Sequence, residues 1–386
     1  MNKNIVYWID AAKADQAPAL FGLDPLERLR RTLKRNGVDD ADIVVSKGEA
    51  PLGQRLRHDR EVRQRPHIVL DGAALTDPRL IAHLAGEARS VVALCGEGDE
   101  SAAALRIEPH VTIPEDAVDT LTLARHLAET GIAQLQADEF QGFIGVLRRD
   151  LPFYVYHVPN DPAAVNAREK WMFLANYKGS TDILTKWVFP PLVWPITRAC
   201  AARGIHPNSV TAVSILLTIA VIPLFASGHL AAGLIAAYAM AVLDSVDGKL
   251  ARLTLSDSAI GNILDHGLDI VHPPLWYLAW AYGLVTLGEG DWVIAAAWWM
   301  TGFYIADRLI LMVAKARFKR GLHAMTKLDA TVRTIISRRN TNLILLTLGL
   351  LTGANGPAFL TVVIWQGATA LWHGVRTILL YPKGAP

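Results

Sequence analysis

Between positions 244 and 269 the chain reads Asp244-Ser-Val-Asp247-Gly248-Lys-Leu-Ala251-Arg252, then eight residues, then Gly261-Asn-Ile-Leu-Asp265-His-Gly-Leu-Asp269. Both segments lie in long apolar stretches. Acidic side chains there cost about 2.5–3.5 kcal/mol each on insertion scales, so four on adjacent helices require a cationic counterpart. Spacings of three and four put residues on one helical face, so Asp244 and Asp247 share one face and Asp265 and Asp269 another. Such a carboxylate set, opening at one edge of a helical hairpin, selects hard divalent ions, Mg²⁺ or Mn²⁺, and suits a two-metal site. An ion-pair network is the competing explanation, but Arg252 and Arg308 cannot neutralise four carboxylates.

Outward from this hairpin, six apolar stretches are candidates for spanning helices, near 208–227, 230–252, 258–284, 292–314, 340–353 and 357–380. The fifth is short against the roughly 20 residues a span needs. The turns at 228–229, 288–291 and 353–356 contain no Lys or Arg, whereas the connection between the fourth and fifth stretches holds Lys315, Arg317, Lys319, Arg320, Lys327, Arg333, Arg338 and Arg339. The positive-inside rule then places both termini and the acidic set on the cytoplasmic side, in an integral protein of an inner or plasma membrane. Ahead of the first stretch, residues 182–200 mix Trp187, Val188, Phe189, Leu192, Val193, Trp194 and Ile196 with Lys186 and Arg198. Pro190, Pro191 and Pro195 break this run too often for a span, so an interfacial amphipathic helix is expected.

The acidic run resembles the signature of the CDP-alcohol phosphotransferase (CDP-alcohol phosphatidyltransferase) family. It agrees at Asp244, Asp247, Gly248, Ala251, Arg252, Gly261, Asp265 and Asp269 without a change of spacing. Pro207-Asn208 followed by Thr211 is also similar to the family's entry to its first helix. The resemblance covers roughly residues 175–385. It implies metal-dependent transfer of a substituted phosphate group from a CDP-alcohol, either CDP-diacylglycerol or a CDP-polyol such as CDP-inositol, to an alcohol acceptor with release of CMP. It further implies Asp244, Asp247 and Asp265 as metal ligands and Asp269 as ligand or general base. Asp244, Gly248, Ala251, Arg252 and Gly261 are assigned to the donor's nucleotide, and a homodimer is expected. The bare glycines remove bulk where a diphosphate approaches the helix backbone. Arg252 suits phosphate or ribose oxygens, or serves as a positive-inside anchor. Arg338 and Arg339 are candidates for binding a phosphorylated acceptor, and Asp307 and Arg308 for an interhelical polar pair.

Residues 1–150 alternate short strands and helices and predict an α/β domain with a mostly parallel sheet. Strands are expected at 5–9, 43–45, 67–70 and 91–94, with an amphipathic helix from Pro25 to Asn36 stopped by Gly37. The stretch from Phe21 to Val38 and the Ile68-Val-Leu-Asp71-Gly72 run resemble parts of Rossmann-like, sugar-nucleotide-type nucleotidyltransferases. The loop after the first strand, Ala11-Ala12-Lys13-Ala14-Asp15, lacks the glycines that let backbone amides cradle phosphate. A degenerate, capping module is therefore expected, with a bifunctional enzyme that makes its own CDP-alcohol as the alternative. The full reading is a multidomain chain: 1–150 α/β, 151–200 linker and interfacial helix, 201–386 six transmembrane helices.

Composition excludes other classes. A net charge of +2 in 386 residues, without basic blocks interleaved with aromatics, argues against nucleic acid as a partner. Two cysteines, Cys95 and Cys200, make no disulfide framework. The N-terminus has too short an apolar run for a signal peptide. A transporter with an acidic cation site is the alternative of another class; no internal repeat supports it.

Overall fold

The computed structural model describes residues 4–96, 98–135, 142–144, 147, 149–177, 179, 181–256 and 259–381; the side chains of 143, 259–266, 268 and 269 lie outside that description. Two compact units emerge, Met1–Gly145 with Arg149–Ala175 and Leu253–Leu255, and Val146–Arg148 with Asn176–Arg252 and Ser256–Pro386.

In the first unit, strands β1 (Val6–Asp10), β2 (Ile43–Ser46) and β3 (His67–Asp71) form with helices α1 (Pro25–Arg35) and α2 (Leu52–Arg63). Then come β4 (Ala74–Thr76), α3 (Pro78–Gly86), β5 (Val91–Cys95), β6 (Ala102–Ile107), α4 (Thr120–Glu129) and β7 (Ala133–Gln134). The main sheet has the order β2-β1-β3-β6-β5-β7. Helix α1 starts where the sequence indicates, because the Asp24 carboxylate accepts from the Glu27 N–H at 2.8 Å and Pro25 needs no donor partner. It ends before Gly37, whose φ of +74° only glycine adopts without strain.

The sheet is more mixed than expected. Strand β6 lies antiparallel between β3 and β5. Its sequence, Ala-Ala-Ala-Leu-Arg-Ile, has neither β-branched enrichment nor alternation, yet all six residues are buried. Arg106 tolerates burial there because its guanidinium donates to the Leu84 and Ala85 carbonyls and to Glu108. The domain boundary also moves. After a small ladder of β8 (Phe143–Ile144) with β9 (Arg149–Asp150), strand β10 (Val155–His157) pairs antiparallel with β4, and α5 (Pro162–Ala175) packs in the same unit. Residues 151–175, expected to begin a linker, are therefore part of this unit.

The second unit opens with a single π-type turn, Leu184–Val188, that runs into α6 (Phe189–Ala202). Pro190 and Pro191 occupy its first turn, where the missing N–H groups have no helical partner to lose, and only Pro195 lies inside. The following helices are α7 (Pro207–Ala226), α8 (Leu230–Leu253), α9 (Ala259–Thr286), α10 (Trp292–Phe318), the short α11 (Lys327–Val332), α12 (Arg339–Thr352) and α13 (Asn355–Leu380). Among the described residues, α7, α8 and α13 are long and apolar enough to cross a membrane, which makes this a membrane protein. At 14 residues, α12 is the short fifth stretch anticipated from the sequence.

Phe225 sits at the centre of the helical core, its ring meeting those of Trp280 at 4.9 Å and Trp276 at 6.2 Å edge-on. The Trp276 indole N–H donates to the Thr218 carbonyl at 3.0 Å. Two glycines make this contact possible. A Cβ on Gly233 would stand 2.4 Å from the Phe225 ring, and one on Gly283 would stand 1.9 Å from the Phe225 carbonyl oxygen. Gly283 thus lets α7 and α9 meet at backbone distance. Gly283→Ala is expected to separate them and lower the thermal unfolding midpoint of the detergent-solubilised protein, at a cost of about 1–3 kcal/mol for overpacking.

Candidate active site

Helix α7 begins at a cap in which the His206 ring accepts from the Asn208 N–H at 3.2 Å, followed by Pro207 in the first turn. One turn on, the buried Thr211 hydroxyl donates to Asp247 Oδ2 at 2.7 Å. This explains the Pro207 to Thr211 motif: it starts α7 at the height where a hydroxyl can hold a carboxylate of α8. Asp247 is 5 % exposed, so this charge-assisted bond forms where water contributes little.

One turn before Asp247, Asp244 Oδ2 accepts from the Arg339 guanidinium at 2.8 Å. Arg339, expected at the acceptor, stands at the first turn of α12 with one nitrogen committed to the acidic set. Asp244 and Asp247 thus hold partners from two different helices. Arg252 donates from Nε to the Asn176 side-chain oxygen at 3.2 Å. Among the described residues, a Cβ on Gly248 would meet only the Arg252 guanidinium, at 3.5 Å, so the glycine leaves space beside that cation. Ala251 is half-buried. Lys249, which sequence reasoning passed over, is buried with its ammonium 3.8 Å from the centre of the Tyr177 ring.

Gly261, Asp265 and Asp269 belong to α9, and their side chains lie outside the described residues. Among the described residues no three of His, Cys, Asp and Glu come together as a metal site. The described half of the donor set fits a hard cation in chemistry, being carboxylate oxygen alone.

Beside α9 the second unit encloses a polar cavity of about 420 Å³. Among the described residues, Arg308, Lys315, Arg333, Arg338 and Arg339 line it, together with the carboxylates Asp182 and Asp307. Its volume suits a small phosphorylated molecule and is at the lower end of ligand-pocket sizes. Asp182 is buried and accepts from the Thr185 N–H, the Thr185 hydroxyl and the Asn340 amide. Burial pushes its carboxyl up, but the Arg338 charge and those hydrogen bonds outweigh it and hold Asp182 below the usual carboxylate range. Asp307 and Arg308 both line this cavity, and Asp307 makes an interhelical contact as expected. Asp307 bonds across to the Nδ1 of His373 on α13, while the Arg308 guanidinium lies 4.8 Å from the Tyr304 ring one turn back. Neighbours in sequence point a third of a turn apart on a helix, so Asp307 and Arg308 face different partners. Gln366, His373, Asn340 and Asn342 also line the cavity, and sequence reasoning missed them. The available signal was Gln366 and His373 at a spacing of seven in an apolar helix.

Residues 204–375 match the family model for CDP-alcohol phosphatidyltransferase. They form a domain of that family. The phosphatidyltransferase domain makes the chain a transferase of substituted phosphate groups that acts on a CDP-alcohol, in phospholipid synthesis. Two solved structures are similar, both of Mycobacterium tuberculosis phosphatidylinositol phosphate synthase. The one with CDP-DAG bound has 18 % identity and a TM-score of 0.38, over 50 % of this chain and 95 % of that one. The apo form has 18 % identity and a TM-score of 0.37, over 49 % and 96 %. No curated protein matches the chain.

In the first unit the two strand-end carboxylates, Asp10 and Asp71, sit side by side by register. Arg55 donates to Asp10 at 2.8 Å while its guanidinium lies 5.5 Å from the Trp8 ring. Asp71 bonds His157 Nε2 at 2.8 Å and accepts from the Ala73 N–H at 2.8 Å. Gly72 packs against β1, where a Cβ would stand 2.7 Å from the Asp10 carbonyl oxygen.

Substitution at one residue of each unit tests these contacts. Thr211→Val should lower the rate of CMP release about ten- to hundredfold, the worth of a hydrogen bond to a buried charge, with the unfolding midpoint little changed. For His157, the bond to Asp71 raises its pKa above the ordinary 6.5 against the opposing effect of burial. A raised folded-state pKa stabilises fully below the unfolded value and the gain disappears as pH rises through the folded value. The gap in unfolding midpoint between wild type and His157→Gln should therefore be larger at about pH 5.5 than at about pH 8.5.

Proposed function

We infer that the chain transfers a substituted phosphate group from CDP-diacylglycerol, or from a CDP-polyol such as CDP-inositol, to a hydroxyl of a phosphorylated alcohol, releasing CMP. The observation that supports this is the polar cavity lined, among the described residues, by five cations and two carboxylates, in the unit whose α8 carries Asp244 and Asp247. A phosphate monoester is the small ligand whose charge such a wall would balance. Arg308, Lys315, Arg333 and Arg338 serve its phosphate, and Arg339 joins them while touching Asp244.

Asp244, Asp247, Asp265 and Asp269 would hold Mg²⁺ or Mn²⁺. Divalent cations supply compensation for these carboxylates and for charge gathering on the diphosphate. The chain's own residues do the rest. Thr211 fixes Asp247 and Arg339 orients Asp244, so two ligand carboxylates are set before substrate arrives. Gly248 leaves room for the donor beside Arg252, whose guanidinium is steadied by Asn176. Gly261 would leave similar room on α9. The acceptor hydroxyl attacks the phosphorus bearing the alcohol, its proton passes to Asp269, and CMP leaves with the broken bond's electron pair.

Helices α7 to α10, α12 and α13 of the second unit are read as spans, with α6 lying at the cytoplasmic surface together with both termini and the acidic set. Trp187, Val188 and Leu192 are exposed at the start of α6, as an interfacial element requires. The protein is read as a homodimer. The first unit acts as a cap, because Arg55 and His157 already occupy the carboxylates a nucleotidyltransferase would offer to a metal. The bifunctional alternative predicts pyrophosphate release from CTP and a phosphorylated alcohol.

The deciding measurement is CMP release by the purified full-length protein given Mg²⁺, CDP-diacylglycerol or CDP-inositol, and inositol phosphate or glycerol phosphate. Asp269→Asn should reduce turnover about 10²–10⁴-fold, the usual worth of a general base, while binding of the CDP-alcohol persists. Unaltered turnover in that variant would remove Asp269 from the mechanism.

A further inference from the structure

One wall of the cavity is built from α10 and α13, which place uncharged polar groups and a carboxylate beside the cations Arg308 and Lys315. Asp307, His373 and Gln366 line it, exposed by 7 %, 1 % and 2 %. His373 spends Nδ1 on the Asp307 carboxylate, and its Nε2 has no hydrogen-bond partner among the described residues. Gln366 spends Oε1 on the Ser337 hydroxyl at 2.8 Å, and its Nε2 likewise has none among them. Buried polar atoms left without partners cost roughly 1–3 kcal/mol each, so two in one wall of a cavity point to a ligand that completes them.

The chemistry of the two atoms selects that ligand. With the carboxylate accepting from Nδ1–H, Nε2 is an acceptor in a neutral imidazole and a donor in an imidazolium. A phosphate oxygen, which only accepts, answers only the second of these. The Gln366 amide presents a donor, or an acceptor if turned about its last bond. A hydroxyl both donates and accepts, so it satisfies the histidine and either orientation of the amide.

Resting on the phosphorylated-acceptor reading above, we propose that Asp307, His373 and Gln366 are specificity-determining residues that recognise non-reacting hydroxyl groups of the acceptor, so that the chain selects a phosphorylated polyol over a simple alkyl phosphate. Asp307 acts through His373, by fixing its tautomer and ring orientation. His373 and Gln366 touch the polyol. The cationic side of the cavity reads the phosphate and this side reads the hydroxyls.

Calorimetric titration of the full-length protein, without donor, measures this directly. The probes are inositol phosphate, glycerol phosphate and 2-hydroxyethyl phosphate. Wild type should bind inositol phosphate at least about tenfold more tightly than hydroxyethyl phosphate, the worth of one buried hydrogen bond. Gln366→Met and His373→Phe should each erase about tenfold of that preference, leave hydroxyethyl phosphate unaffected, and raise the acceptor KM with kcat unchanged. His373→Gln, which retains a hydrogen-bonding end, should recover part of the loss. Because His373→Phe strands a buried carboxylate and endangers folding, Gln366→Met carries the test by itself. Equal affinity of wild type for all three probes, or equal weakening of all three by Gln366→Met, would overturn the proposal. Failure to release CMP with any acceptor, despite selective binding, would instead overturn the transferase substrates inferred above and leave the hydroxyl wall standing.

Discussion

Charge buried among apolar helices must be answered locally, and the second unit is organised by that requirement. Asp247 and Asp307 are buried and Asp244 partly so, and each carboxylate is met by a donor that another element brings to it. Asp247 has Thr211 from α7, Asp244 has Arg339 from α12, and Asp307 has His373 from α13. The first bond ties consecutive helices, and the other two tie helices 95 and 66 residues apart. The polar pairs therefore fix which helices are neighbours, while the apolar core around Phe225 supplies the driving force. The same pairs leave the charged groups oriented, and a phosphoryl-transfer centre depends mainly on orientation and electrostatics.

Much of this is legible in the amino-acid sequence. Acidic residues at spacings of three and four in apolar stretches announce a site, since nothing else tolerates them there. Glycine-rich turns without Lys or Arg mark helix ends, and α7 to α10, α12 and α13 lie close to where those turns place them. The cap residue Asp24 and the stop at Gly37 locate α1 from chemistry alone. The illegible parts share a cause, which is dependence on contacts distant in sequence. Strand β6 is held by its two neighbours in the sheet and not by its own propensity, so an alanine run with a buried arginine gives no sign of it. Residues 151–175 look like connecting chain because β10 is short and its partner β4 lies far upstream. Asp307 announces an interhelical polar contact, but its partner His373 lies 66 residues further on. Arg339 on Asp244 spans the whole distance from α8 to α12.

The first unit answers its carboxylates in the same way. Its sheet brings Asp10 and Asp71 together at adjacent strand ends. Arg55 holds the first and His157 the second. The carboxylates thereby bind the unit's own elements, with β10 held to β3 through His157. In the second unit, the acids of α8 are likewise held, but by groups that leave a ligand-sized chamber nearby.

The close approach at Gly283 has a mechanical meaning. Where two helices touch through backbone, neither can slide or roll without atoms overlapping, so α7 and α9 behave as one splinted rod. One end of that rod carries Thr211 and the α9 segment with Asp265 and Asp269; the splint lies several turns away. A hydrogen atom in place of a methyl group, in the last turns of both helices, thus sets how stiffly their opposite ends are held.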